Sequence, residues 1–546
     1  MNETHLFLKN TYFSRRKKNR IHITLMKKIF LAIIFGVATS VSYSQKAPLN
    51  WYNKSPKGDK MYGTGAEKAY QLLEGKTPQE VIVAVIDSGV EVDHEDLKNV
   101  LWINKGEIPG NGIDDDGNGY IDDVHGWSFL GGATEDINHE AMEIARMYMS
   151  EKKYFEGKDS KSLSGEDVER YKKYEQLKAD FQKEQETLIQ QYQGINMLSE
   201  YIGRVKAASN GEFSKKTNKA FKPTDPMDIR LQKRMKLILM MVSAEELDNQ
   251  ITHGAEQIGG LIKYNTMDAD SIRRAVVGDD PNDLSNKFYG CNRYEGPDAM
   301  HGTHVSGIIA AERGNGIGID GVASNAKIMV LRAVPNGDER DKDVANAIIY
   351  AVDNGAKVIN MSFGKYYTPN KDAVDAAILY AKSKDVLLVH AAGNDAKNKD
   401  KEDSYPTRLL SDGTTATNWI EVGASSSSKK GKKILADFSN YGATTVDLFA
   451  PGVDIYSTVP DQKYEDASGT SMACPATAGV CAMIRGYFPE LTAEEVRDVL
   501  MKTVVPYKKK IRIPGTKKGK GTMSDVSISA GFVNAEKAVQ YLLDRK

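Results

Sequence analysis

Val81-Ile82-Val83-Ala84-Val85-Ile86-Asp87-Ser88-Gly89 is the stretch from which the fold can be read. Six consecutive apolar residues, five of them β-branched, suit a strand buried on both faces, as in a parallel sheet. An aspartate followed by Ser-Gly at the end of such a strand marks the edge where α/β sheets carry their sites. Similar apolar runs recur at 326–334, 357–361 and 386–390, with helical patterns at 343–354 and 370–383 between them. The alternation predicts an α/β fold with a doubly wound, mainly parallel sheet.

The rhythm stops between residues 131 and 275, which are rich in Glu, Lys, Gln and Met. Tyr174, Phe181, Leu188, Ile195 and Ile202 repeat every seven residues, with Leu177, Leu198 and Val205 three further on. A seven-residue apolar stripe needs a partner surface. The pattern Met227–Met241 offers one, and Ser164-Gly165-Glu166-Asp167 resembles a capping box at the start of the long helix. The expected organisation is an arm over 45–80, a discontinuous α/β domain over 81–130 and 276–546, and an all-helical insertion over 131–275.

The 546 residues are 40% hydrophobic and 27% charged, ordinary for a globular protein. The formal net charge of −1 conceals eight Lys/Arg against one acid in residues 1–44, leaving the body at about −8. A mildly acidic body gives no reason to expect a nucleic-acid partner. Met26-Lys27-Lys28, the apolar run 29–37 and Ser42-Tyr43-Ser44 read as a signal peptide over 26–44. The run is short for a membrane span, so an exported chain, periplasmic or released, and not an integral membrane protein is expected. Residues 1–25 read as an upstream, non-native start. Three cysteines (Cys291, Cys474, Cys481) do not make a disulfide framework. The Lys-rich segment 508–520 reads as a surface loop.

Ser468-Gly469-Thr470-Ser471-Met472-Ala473-Cys474-Pro475 carries the first chemistry. Proline is tolerated in a first helical turn, which places Ser471 at or near a helix start. A serine hydroxyl is a weak nucleophile and needs a base. His301-Gly302-Thr303-His304 supplies two histidines at a helix start, one to act as base and the other to pack or hydrogen-bond. Their spacing lacks the Glu of a zinc-binding His-Glu-x-x-His motif. Asp87 is the carboxylate that would orient the base.

These three segments resemble the catalytic signatures of the subtilisin-like serine proteases (subtilases), in that family's order Asp, His, Ser. The resemblance covers about 51–131 and 278–543. It implies Asp87, His301 and Ser471 as a triad, hydrolysing peptide bonds of protein or peptide substrates without a catalytic cofactor. It also implies Asn394, in Val386–Asn394, as the oxyanion-hole donor. Ser362, Phe363 and Gly364, with Ala391, Ala392 and Gly393, would wall the substrate pocket. Two features depart from the family. The segment 45–80 is too short for a folded inhibitory prodomain, and the insertion separates Asp87 from His301, where it is expected to cover or gate the cleft.

Asp114-Asp115-Asp116-Gly117-Asn118-Gly119-Tyr120-Ile121-Asp122 places oxygen ligands at Asp114, Asp116, Asn118 and Asp122, with the Tyr120 carbonyl between. This follows an EF-hand loop, except that His125 stands where the bidentate Glu belongs, and it predicts a structural Ca²⁺. Asp93, Glu95 and Asp96 read as solvated acids. Beside a secreted endopeptidase stand a processing protease or exopeptidase gated by the insertion, and a pseudoprotease binding module. Product lengths separate the first two, and a lost triad residue would mark the third. Subsite preference and oligomeric state are not legible.

Overall fold

The computed structural model describes residues 47–240 and 242–545. The signal peptide and upstream start expected over residues 1–44 lie outside them. The described chain forms two compact units, Ser150–Thr266 and the remainder on either side of it.

The larger unit is built on a nine-stranded sheet. Its strands are β1 (Val81–Asp87), β2 (Gly126–Ser128), β3 (Ala326–Arg332), β4 (Val358–Met361), β5 (Leu387–Ala391), β6 (Trp419–Ser425) and β7 (Leu448–Pro451). A separate hairpin, β8 (Ile455–Val459) and β9 (Lys463–Ala467), follows. Then come β10 (Val505–Pro506), a second hairpin of β11 (Ile511–Arg512) and β12 (Lys520–Gly521), and β13 (Gly531–Phe532). The sheet order is β10-β13-β7-β6-β5-β4-β1-β3-β2, parallel throughout except for the β10–β13 pair. The central strands β1, β3, β4 and β5 are mainly apolar, as expected of strands covered on both faces.

The chain enters this unit through an arm. Trp51 and Tyr52 are fully buried; the Trp51 indole donates to Asp454 O (3.0 Å) and the Tyr52 hydroxyl to Asp320 O (2.8 Å). Helix α1 (Ala66–Leu72) then leads to β1, and α2 (Glu143–Phe155) spans the boundary between the units in sequence.

The smaller unit contains α3 (Glu166–Ala207), α4 (Lys215–Ala220), α5 (Pro226–Ile238) and α6 (Ala244–Tyr264). Tyr174, Leu188, Ile195, Leu198, Ile202 and Val205 are buried as their spacing predicts, whereas Phe181 and Leu177 are half-buried. The long partner of α3 is α6 rather than the 227–241 pattern. Lys206 near the end of α3 pairs with Asp248 near the start of α6 (2.5 Å), and Gln185 midway along α3 meets Ile262 O and Asn265 at the end of α6, so the helices run antiparallel. At 1.5 Å per residue α5 is about 20 Å long and covers only part of a helix of about 60 Å; it adds Leu231 and Met235 to the core and a two-pronged Asp228–Arg204 bridge (2.7 and 2.9 Å). The expected capping box is not made: Gly165 is the N-cap, and Glu166, Asp167 and Glu169 complement the helix dipole instead. The unit is also narrower than 131–275. Ile137 lies in the core of the α/β unit, and buried Arg273 bridges Asp279 (3.1 Å) and Asp343 (2.6 Å) there.

Back in the larger unit, α7 (Ala269–Val276) precedes the helices that cover the sheet: α8 (Met300–Ala310), α9 (Asp341–Asp353), α10 (Lys371–Ser383), α11 (Thr470–Tyr487), α12 (Ala493–Thr503) and α13 (Ala535–Asp544). Val81, Val83 and Val85 of β1 join α8, α11 and α13 in one core, while Ala84 and Ile86 join α9 and α10 in the other. The two-residue alternation of β1 thus divides its side chains between two helical layers. Small residues let α11 lie close to its neighbours: a Cβ at Gly479 would stand 2.6 Å from Val322.

Candidate active site

Asp87 is the last residue of β1, and Ser362 follows directly after β4, whose Met361 is in register with Ile86. Adjacent strands lie about 4.8 Å apart, so the two side chains leave neighbouring strand ends. Gly89, at φ 123°, turns the chain so tightly that a Cβ would stand 1.9 Å from Glu295 O. Gly302 brings the start of α8 onto this turn; a Cβ there would meet Gly89 O at 2.1 Å.

With α8 seated so, His301 Nδ1 lies 2.7 Å from Asp87 Oδ1, across 214 residues of sequence. The Ser88 N–H also donates to Asp87 Oδ1 (2.8 Å). Burial favours a neutral His301 ring, but the Asp87 charge and hydrogen bond outweigh it and raise the pKa above its usual 6.5. The imidazole is 41% exposed, so the carboxylate governs. His304 differs: it is buried, its Nε2 faces Ile455 O (3.0 Å) and Glu465 O (3.1 Å), and burial pushes its pKa down to about 4. A neutral ring donating to β8 and β9 is a structural strut.

Ser471 is the second residue of α11, so Pro475 falls in the second helical turn and not the first. A proline there withholds the N–H that the carbonyl four residues earlier would accept. That carbonyl belongs to Ser471, and the Ser362 hydroxyl donates to it instead (3.0 Å). In return the Ser471 hydroxyl donates to Ser362 O (3.1 Å). Asn394 joins the same cluster: its Oδ1 accepts from Thr470 N (2.8 Å) and Thr470 Oγ1 (2.9 Å), which leaves its amide NH₂ free of that contact.

Ser362, Phe363, Gly364, Ala391, Ala392, Gly393, Asn394 and Ser471 line one pocket of about 240 Å³. All six residues expected at the pocket wall are there. The pocket adds residues that sequence reasoning missed: Lys365, Tyr366, His390, Asp395, Ser404 and Asn440. His390 is buried between Phe363 O (2.9 Å from Nε2) and Glu421 (3.0 Å from Nδ1), and Lys399 pairs with Glu421 as well. Burial alone would raise the Glu421 carboxyl; Lys399 and His390 bring it down to about 2. Lys365 is buried against Glu143 (2.7 Å), Asp341 (2.8 Å) and Glu339 O (2.7 Å). A polar residue inside an apolar run was the available signal for His390, but its partners come from other strands and loops.

The acidic loop is assembled differently from the EF-hand expectation. Asp114 and Asp116 group with Glu107, their ligand oxygens all within 4.8 Å. Asp122 takes a left-handed backbone (φ 54°), and its carboxylate accepts the N–H groups of Gly110, Asn111 and Gly112 (2.8–3.2 Å). Asn118 bonds Asp116 and Asp123, and the Tyr120 ring packs against Trp127 and Tyr350. Three carboxylates grouped this closely suit a hard cation such as Ca²⁺ and supply part of the six to eight oxygens it takes. Glu107 escaped notice because it lies outside the twelve-residue window. Asp96, read as solvated, is buried and accepts from Asn315 (2.7 Å) and the Ile319 N–H (3.0 Å).

A doubly wound sheet with an Asp–His pair at one strand end and a helix-start serine bonded to the residue that follows the adjacent strand defines the class of α/β proteins built for serine chemistry. The profile of the Subtilase family matches residues 78–531, and the chain belongs to that family. It is 43% identical over 185 residues to the "Thermophilic serine proteinase" of Bacillus sp. (strain AK1), covering 34% of this chain and 42% of that one. It is 37% identical over 242 residues to "Thermitase" of Thermoactinomyces vulgaris (44% and 75%) and 38% identical over 267 residues to "Subtilisin DY" of Bacillus licheniformis (48% and 89%). The match spans less than half of the first relative and a quarter of the "Cell wall-associated protease" of Bacillus subtilis (strain 168).

Proposed function

We propose that the protein is a secreted serine endopeptidase with Asp87, His301 and Ser471 as its triad. The observation that carries this reading is the 2.7 Å Asp87–His301 pair on the strand end next to Ser362, which itself exchanges hydrogen bonds with Ser471. The Ser471 hydroxyl swings from Ser362 O towards His301, whose Nε2 takes its proton as Oγ attacks the scissile carbonyl carbon. Asp87 holds the Nδ1–H tautomer and stabilises the imidazolium. The carbonyl oxygen gains the negative charge and accepts from the Asn394 amide, oriented by Thr470. His301 then protonates the departing amine, and water, activated by the same ring, releases the acyl group from Ser471.

Calcium would be held by Glu107, Asp114 and Asp116 in a structural role, and export rests on the signal-like residues 26–44. Among the described residues no helix is long and apolar enough to cross a membrane. The 150–266 helices form an insertion within the catalytic domain. The test compares the protein with Ser471→Ala in fluorophosphonate labelling and casein digestion. Labelling and digestion by the native protein alone support the reading, and equal behaviour of the two forms overturns it.

A further inference from the structure

The strongest unassigned feature is a cationic face beside the pocket. Segment 429–433 carries four lysines in five residues, and segment 508–520 carries six lysines and Arg512. All ten lysines are exposed, and no ion pair among the described residues engages any of them or Arg512. The acids nearest in sequence are Asp437 and Asp525, and Asp525 is taken up by Thr522. On a body with a net negative charge this concentration is local.

The two segments form one surface. The Arg512 N–H donates to Gly431 O (2.9 Å), and the Tyr507 hydroxyl donates to Lys429 O (3.1 Å). Ile434, Tyr507, Ile511 and Met523 anchor both in one apolar cluster, which also contains Ala392 of the pocket wall. β11 and β12 stiffen the second segment as a hairpin. Its tip reaches the site: the Gly515 N–H donates to Asp437 O (2.8 Å), and a Cβ on Gly515 would stand 2.7 Å from the Ala396 Cβ. Ala396 is two residues beyond Asn394, and Lys517 two beyond Gly515. At 3.8 Å per residue step, Lys517 therefore lies within roughly 20 Å of Asn394. An extended peptide covers that distance in about six residues.

We propose that this lysine-rich double loop is an exosite that captures acidic segments of the polypeptide being cleaved, beginning about six residues from the scissile bond. The ten lysines supply mobile point charges, and Arg512 alone a bidentate fork, which suits a run of Asp or Glu without fixed register. Continuity with the pocket wall through Ala392 and Ala396 favours a substrate chain over an envelope surface. The exosite rests on the endopeptidase reading, and its test separates the two.

Quenched peptides share one cleavable core and carry either four glutamates or four glutamines six residues from the scissile bond. The full-length native protein cleaves the glutamate peptide with kcat/KM about tenfold higher at low salt, chiefly through KM, and 0.5 M NaCl removes the preference. A variant with Lys508→Gln, Lys509→Gln, Lys510→Gln, Lys517→Gln and Lys518→Gln cleaves the glutamine peptide as the native protein does and no longer discriminates. Anisotropy of both peptides on Ser471→Ala protein reads capture without turnover. Equal binding of the two peptides overturns the exosite even if cleavage is brisk, as does discrimination that survives the lysine changes. Binding to phosphatidylglycerol vesicles without preference for the glutamate peptide also overturns it, in favour of a surface anchor. If acid-tailed peptide binds yet neither peptide is cut nor label incorporated, the endopeptidase reading fails and the exosite with it.

Discussion

Glu143 tests whether the pocket wall is held by charge. It is buried and serves two cations: Arg146 (2.6 Å) and Lys365 (2.7 Å), the latter following Gly364 in the pocket wall. Burial would raise its carboxyl, but these cations lower it from 4.5 to about 2. That difference corresponds to about 3 kcal/mol of stability. Breaking a buried pair by deleting one member costs about 3–5 kcal/mol. Lys365 keeps Asp341 and Glu339 O, and Arg146 keeps Asp338 O, so the lower end applies. Glu143→Ala in a Ser471→Ala background, which prevents autolysis, should lose about 3 kcal/mol in urea unfolding at pH 7. Because the folded carboxyl is depressed, its contribution is full above pH 4.5 and is lost as pH falls towards 2. The stability curves of the two proteins should therefore converge over that range. In the active protein the same change raises KM for a pocket-filling peptide. A loss below 1 kcal/mol at pH 7, or a gap unchanged by acid, refutes the reasoning.

Asn394→Ala should lower kcat by about 10²–10³ with KM little changed, measured on one peptide, because its amide acts on charge that develops during reaction. Asp87→Asn should lower the plateau of kcat/KM and move its acid limb to lower pH. The native ring must lose a proton to act as base, and Asp87 is what raises its pKa. Chelation should lower the melting temperature while leaving fluorophosphonate labelling at 25 °C intact, and Glu107→Gln should abolish that thermal response.

Much of the architecture was legible because it is written at short range. The runs that became β1, β3, β4 and β5 are mainly apolar, since each is covered on both faces, and small residues mark α11. β6 was not recognised: Glu421 interrupts it, and nothing within the strand announces that His390 and Lys399 hold that carboxylate. The stripe of α3 was legible, but its partner was not, because a seven-residue spacing specifies a buried face and not the helix that covers it.

At the site, Asp87, Ser471 and two candidate bases, His301 and His304, could be picked out by residue type and local context, and the resemblance to the subtilases implied His301 and Asn394. Their pairing could not, nor the exchange between Ser362 and Ser471 across 109 residues. Glu107 joined Asp114 and Asp116, and Asp122 left them, through a turn in which Asp122 adopts a positive φ. The cause is common to all these cases. Periodicity and caps are settled by neighbours a few residues away, so they survive in the linear order. The partner of a buried charge is settled by which strand ends and loops the sheet brings together, and that is decided only when the whole domain closes.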